Sequence, residues 1–315
     1  MTKRVLISGS VAYDSIMVFD GHFKDHILPE KIHMLNVSFL TLEMRKEYGG
    51  TAANIAYNLK LLGGDPFVLA SIGKDGTDYL ARMQGWGIDC TGVRQFPETF
   101  TAQAFITTDL SANQITAFHP GAMGHAHEIH ASTGGPAAYG LISPNGKAAM
   151  IGHAAQYKAL GIPYLFDPGQ GLPMFDGAEL RDLISNAHAV TVNDYEAQML
   201  SDKTGWTTEA IAAKVKAFVI TLGADGSRVY EDGSVTDISC AKASAVVDPT
   251  GCGDAFRAGL LFGLTNQWSW VDSARLGGVI GAIKIAHAGA QNHRFDWAQV
   301  ASIYQQSYGT KLPNA

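Results

Sequence analysis

The run Asp248-Pro249-Thr250-Gly251-Cys252-Gly253-Asp254 sets two carboxylates on a glycine-rich turn, a combination able to hold an anion and take a proton beside it. Val246 and Val247 before it look like a strand's end, and residues 255–264 carry the Ala/Leu/Phe content of a helix, so the glycines are expected at a strand-to-helix turn. A helix N-terminus offers unpaired N–H groups and a partial positive charge. Glycines on both sides of Cys252 remove the Cβ atoms that would keep a phosphate away. Asp254 then stands where negative charge collects, and the chemical use for it there is to accept the proton of a hydroxyl attacking phosphorus. The alternative is a plain helix N-cap, which Asp favours. The turn is neither a Walker A loop, which needs G-x-x-x-x-G-K-[ST], nor a dinucleotide fingerprint, whose third glycine would fall at Phe256.

Other polar residues stand at expected strand ends. Asn193 and Glu196 follow the apolar run 189–192; they satisfy either a capping box or an arrangement in which Glu196 holds Mg²⁺ through water. Gly49-Gly50 opens a helix carrying Asn54, whose amide and N–H groups suit a polyol as well as a tight turn. Asp14 is expected just past the first strand, 5–9. Asp167, at another strand end, is open between orienting a Mg²⁺-bound water or phosphate and capping its turn. His125, His127 and His130 lie in a polar stretch without helical register and are expected to be solvated surface. Cys252, at a helix N-terminus, is expected to be the most thiolate-like of the three cysteines.

The elements that must position these residues read as a parallel, doubly wound α/β sheet. Short apolar strands at 139–143, 162–167, 189–193 and 218–222 alternate with helical patterns, each ending in a polar or glycine-rich turn. Two segments break the pattern. Residues 15–48 are rich in Phe, His and Met (Phe19, His22, Phe23, His26, His33, Met34, Phe39) without helical period, and 101–107 with 114–118 reads as a hairpin. Together, as inserted segments of about 15–48 and 98–120, they are expected to make a small β-sheet lid on a single domain of residues 1–315.

In this order the motifs resemble the ribokinase-like (PfkB) carbohydrate and nucleoside kinases, whose second signature is usually written D-T-T-G-A-G-D. The chain departs from it at Pro249 and Cys252. The resemblance implies Asp254 as catalytic base on the turn Gly251, Cys252 and Gly253. It implies sugar hydroxyls bound by Asp14, Gly49, Gly50 and Asn54. ATP would lie at Asn193 and at the Thr221-Leu222-Gly223-Ala224-Asp225-Gly226 turn, with Thr221, Gly223 and Gly226 as its residues. Mg²⁺ would sit near Glu196, and a monovalent cation, K⁺ being the candidate, near Asp248, Thr250 and Gly289. The aromatic lid segments and the stretch 113–123 make the chain look most like the bacterial nucleoside (adenosine-type) kinases of the family. The implied reaction is ATP-dependent phosphorylation of the 5′-hydroxyl of a purine nucleoside, with Phe105 and Phe118 as base-stacking candidates. A ribose or fructose kinase is the rival within the family, and a non-catalytic nucleoside sensor the rival outside it.

A net charge of −6, with no basic cluster, argues against a nucleic-acid partner. No apolar run approaches membrane-spanning length, and three widely spaced cysteines suggest a reducing compartment, so a cytoplasmic location is expected. The lid is the candidate surface for a homodimer.

Overall fold

The computed structural model describes residues 2–27, 34, 36–111 and 113–313. His33, one of the residues singled out in the first lid segment, and Ala112 of the hairpin turn lie outside the described residues. The strands are β1 (Arg4–Ser8), β2 (Ala12–Phe19), β3 (Thr41–Gly49), β4 (Asp65–Gly73), β5 (Val93–Phe96), β6 (Ala102–Thr108), β7 (Gln114–His119), β8 (Tyr139–Ile142), β9 (Tyr164–Phe166), β10 (Ala189–Asn193), β11 (Ala217–Thr221), β12 (Ser227–Glu231) and β13 (Ser234–Ile238). The helices are α1 (Thr51–Leu61), α2 (Thr77–Gly85), α3 (Lys147–Ala159), α4 (Gly177–Asn186), α5 (Asp194–Thr204), α6 (Thr208–Ala212), α7 (Cys252–Thr265), α8 (Trp270–Ile285) and α9 (Trp297–Tyr308).

The large sheet has the order β13-β12-β11-β10-β9-β8-β1-β4-β5. Strands from β11 to β5 are parallel, and the β12–β13 hairpin adds an antiparallel edge. Parallel strands covered on both faces are mostly apolar on both, which is why β1, β4 and β10 read as largely hydrophobic runs, broken only by small polar residues such as Ser71 and Thr191. The pleat divides them: Val5, Ile7, Val68 and Ala70 join the core under α1, α2, α7, α8 and α9, whereas Leu6, Phe67 and Leu69 join the core under α3 to α6. The fold is therefore α/β, doubly wound and mostly parallel, with a separate small sheet of order β3-β2-β6-β7.

Two local expectations are corrected. Val246 and Val247 are not in a strand; Val246 is 80% exposed, and the N–H groups of Val247 and Asp248 donate to Ile285 O at the end of α8. Those bonds tie the segment to the end of α8 instead of to a strand. Asp14 does not follow β1 in a loop but lies inside β2, because the chain leaves the large sheet at Gly9–Val11 and enters the small one at once. The 15–48 segment supplies most of β2 and all but the last residue of β3, and these pair with the 101–118 hairpin in the small sheet that was expected.

Candidate active site

The turn after Asp248 has no preceding strand, yet it makes the helix N-terminus expected of it. Gly251 is left-handed, at φ 79°, and a Cβ there would stand 2.7 Å from the Ala290 Cβ, so only glycine closes this turn against residues 289–291. Of the first-turn N–H groups of α7, that of Cys252 donates to Pro249 O at 3.1 Å; the first turn as a whole carries the helix's positive end. Asp254 sits on that first turn. Its carboxylate lies deep in the protein with an accessible edge, and burial pushes it up to about 7. The Asn54 hydrogen bond and Arg257 oppose that rise, while Asp167 and Asp14 add to it.

Asn54 comes from α1, which packs on α7. Its Nδ2 donates to Asp254 Oδ2 at 2.8 Å, and its Oδ1 accepts from Gln291 Nε2 at 2.7 Å. Gln291 Nε2 also donates to Tyr79 OH at 2.6 Å, and Tyr79 OH donates to Gly49 O at 2.6 Å. A buried chain of hydrogen bonds thus runs from the glycine pair to the carboxylate. Asn54, matched to sugar hydroxyls on resemblance, has its amide committed to orienting Asp254.

Asp14 reaches the same space from the small sheet. Burial pushes its carboxyl up to about 6, with Glu47 and Asp248 adding to the rise and no hydrogen bond from the described residues holding it down. Gly49 lies directly beneath it, where a Cβ would stand 2.5 Å from Asp14 Oδ2, and Gly50 is the N-cap of α1. The register pairs Asp14 with Ala104 and Ala104 with Phe118, so these three side chains share one face of the small sheet. Ser15 pairs with Phe105, which places Phe105 on the opposite face. Phe118 is 53% exposed and Phe105 42%. Phe19 and Phe23 are spent on the small sheet's own packing: both are buried, stack at 5.9 Å and each meet Phe39 at 4.9 Å.

On the large sheet, Asn193 and Thr221 end β10 and β11 side by side in register. Asn193 and Glu196 form a reciprocal capping box, Asn193 Oδ1 accepting from Glu196 N at 2.7 Å and Glu196 Oε2 from Asn193 N at 2.8 Å. The capping role is thus present, and it also fixes the carboxylate: burial and then Asp167 push Glu196 up from its ordinary value. Gly223 has open space where a Cβ would project, as a bound nucleotide requires. Gly226 does not; a Cβ there would lie 2.0 Å from Ile238 O, so that glycine serves the close approach of β13.

Several residues escaped the reading of the sequence. Arg257, three positions beyond Asp254, is buried and grips Asp167 in a bidentate pair at 2.9 and 3.0 Å. Both oxygens of Asp167 accept from Arg257, and burial pushes its carboxyl up against the pull of that guanidinium. Lys284 is buried in α8 and donates to Asp248 O at 2.6 Å. The signal available for both was a cation flanked by apolar and small residues, Arg257 before Ala-Gly-Leu-Leu-Phe and Lys284 within Val279–Ile285, since a charge is almost never buried unpaired. Cys252 is a correction: burial pushes its thiol up to about 11 although Lys284 opposes, so the helix terminus does not make it a thiolate. His125 pairs with Glu128 at 2.9 Å, and no group of three or more His, Cys, Asp or Glu able to hold a metal exists among the described residues.

The two expected cations fare differently. A Mg²⁺ held mostly by phosphate oxygens and water asks the protein for one or two carboxylates, which the raised Glu196 and its neighbours can supply. A monovalent cation fits poorly. Asp248 Oδ1 accepts from Thr250 N at 2.9 Å, Oδ2 from Gly289 N at 2.8 Å, and the carbonyl from Lys284. A second unit positive charge about 4 Å from that ammonium costs about 4 kcal/mol at an effective dielectric of 20.

Comparison with known proteins identifies the family. The nucleoside kinase of Burkholderia thailandensis in complex with inosine is 44% identical, with a TM-score of 0.89 over 98% of this chain and 99% of that one. Its complex with ADP-inosine is 45% identical, with a TM-score of 0.87 over 99% of this chain and 98% of that one. The nucleoside kinase of Methanocaldococcus jannaschii is 30% identical over 86% of this chain and 90% of its own length. The model of the pfkB family carbohydrate kinases matches residues 11–297. Spanned almost from end to end by that match, the chain belongs to the pfkB family of carbohydrate kinases.

Proposed function

We propose that this chain is a nucleoside kinase that transfers the γ-phosphoryl group of ATP to the 5′-hydroxyl of a purine nucleoside. The observation that carries this reading is the raised, Asn54-oriented Asp254 carboxylate on the first turn of α7. Likeness to a Burkholderia nucleoside kinase seen with inosine and with ADP-inosine supports the choice of substrate.

The nucleoside lies between the large sheet and the Asp14 face of the small one, which serves as the lid. Asp14, with no hydrogen bond from the described residues holding it, accepts from the ribose hydroxyls, and Phe118 on the same face stacks on the base. ATP lies across the ends of β10 and β11, by Asn193, Thr221 and Gly223, with its γ-phosphate at the α7 N-terminus. There the N–H groups hold the negative charge that develops on the transferred oxygens. Asp254 takes the 5′-hydroxyl proton as that oxygen attacks phosphorus, and ADP leaves; its raised pKa matches a base working near neutral pH. Mg²⁺, held by Glu196 through water and by the phosphates, supplies charge neutralisation when bound. Arg257, tied to Asp167, keeps a compensated pair beside the base rather than a free cation.

Product analysis tests this directly. After incubation with inosine and ATP, phosphorus NMR should show the 5′-monophosphate in stoichiometric amount with ADP. ADP formed without a phosphorylated nucleoside would rule the reading out.

A further inference from the structure

Lys284 has no role in the chemistry just described, yet it is fully buried. It stands near the end of α8 in the run Val279-Ile280-Gly281-Ala282-Ile283-Lys284-Ile285. Its ammonium does not cap its own helix: the oxygen it meets, at 2.6 Å, is the carbonyl of Asp248, which opens the anion turn. The charged or ionisable groups that act on it are Asp248, Asp254 and Cys252, and it in turn helps keep the nearby imidazole of His293 neutral. Burial lowers the lysine's pKa, and those acidic neighbours work against that lowering.

Asp248 is, with Thr250 and Gly289, among the residues expected around a monovalent cation, and its three oxygens are already engaged. The carboxylate ties the turn to residue 289 through the N–H groups of Thr250 and Gly289, and the carbonyl is tied to α8 through Lys284. The two segments a cation would join are joined without it. An ammonium has the charge of a potassium ion and nearly its size, and here it is delivered covalently to the foot of the phosphate-binding helix.

We propose that Lys284 is a built-in monovalent cation, supplying the charge and the tether that a bound K⁺ would supply, so that phosphoryl transfer by this chain needs no added monovalent cation. The inference rests on placing the phosphate at the 251–254 turn.

The test separates the two ideas by reading cation binding as well as turnover. Turnover of the wild-type protein is assayed with inosine and Mg-ATP, and Tm and Tl⁺ binding with ADP and Mg²⁺, each in choline chloride and in KCl at equal ionic strength. kcat/KM should differ by less than about twofold, Tm should not respond to K⁺ beyond choline, and Tl⁺, a potassium surrogate, should show no saturable binding in NMR. Lys284→Met keeps the stem and removes the charge. It should lose about tenfold or more in kcat in choline, bind Tl⁺, and recover both activity and Tm when K⁺ is added. Lys284→Arg should stay indifferent to K⁺. Activation of the wild type by K⁺ of about tenfold, or saturable Tl⁺ binding to it, overturns the proposal. So does a Lys284→Met protein as active in choline as the wild type. Should Lys284→Met fail to fold, the wild-type measurements decide alone. Failure to phosphorylate nucleosides would leave the Tl⁺ and Tm readings intact, so it strikes the functional reading and not this one.

Discussion

The side-chain amide of Asn54 donates to Asp254 Oδ2 at 2.8 Å, joining the first helix of the chain to the turn that carries the base. The bond favours the ionised carboxylate and is the main force opposing the rise that burial imposes on it. Asn54→Ala should therefore move the base further up. The acid limb of kcat/KM against pH, expected near 7 in the wild type, should shift to higher pH, and kcat at pH 7 should fall by about tenfold. An unshifted limb would leave Asn54 a packing residue only.

Asp254→Asn preserves shape and removes the proton acceptor. A loss of about 10²-fold or more in kcat is expected, with ADP affinity nearly unchanged by calorimetry. Turnover near that of the wild type would return Asp254 to a capping role.

The same substitution has a stability signature. The folded-state pKa of Asp254, about 7, lies above its ordinary 3.8, so the folded protein holds the proton more tightly than the unfolded chain. That contribution is complete below about pH 4 and is lost as the pH rises through 7. Asp254→Asn has no charge to bury. It should melt above the wild type at pH 8, by on the order of 2–4 kcal/mol of stability, and the gap should close towards pH 4.

The Asp167–Arg257 pair is buried and bidentate. Asp167→Ala leaves the guanidinium without its partner and should cost about 3–5 kcal/mol by denaturant unfolding. Asp167→Leu combined with Arg257→Met, which removes both charges, should recover most of that loss. A double variant as unstable as the single one would mean the pair is needed for more than mutual neutralisation.

Register separates the two aromatic candidates of the small sheet. Phe118 shares the Asp14 face and Phe105 does not. Stacking on a base is worth about 1–3 kcal/mol, so Phe118→Ala should raise the nucleoside KM about tenfold or more. Phe105→Ala should change it by less than about twofold. Equal effects would place the base elsewhere.

What could be read in the sequence follows from how each element is buried. Strands such as β1 and β10, covered on both faces, are apolar along most of their length and were legible as such. β2 and β3 were not, because one face of the small sheet is open and β3 exposes Leu42 and Met44, which blurs the alternation of a half-buried strand. Val246 and Val247 carried strand propensity with no strand to pair with, and position overrode propensity. The base and its turn were visible because they are contiguous. Asn54, Gln291 and Lys284 acquire their roles from partners far away in the chain, and only the packing of α1 and α8 on α7 brings them to the turn. Cys252 shows the limit of local reasoning: its helix terminus was correctly placed, but burial outweighs the dipole.

The most direct test of the central claim is a side-by-side measurement of kcat/KM by ADP release with inosine, adenosine, guanosine, ribose and fructose. Base stacking and the ribose contacts together predict at least one purine nucleoside about tenfold or more above either free sugar. Ribose or fructose turned over as efficiently as every nucleoside would contradict the account and make the protein a sugar kinase.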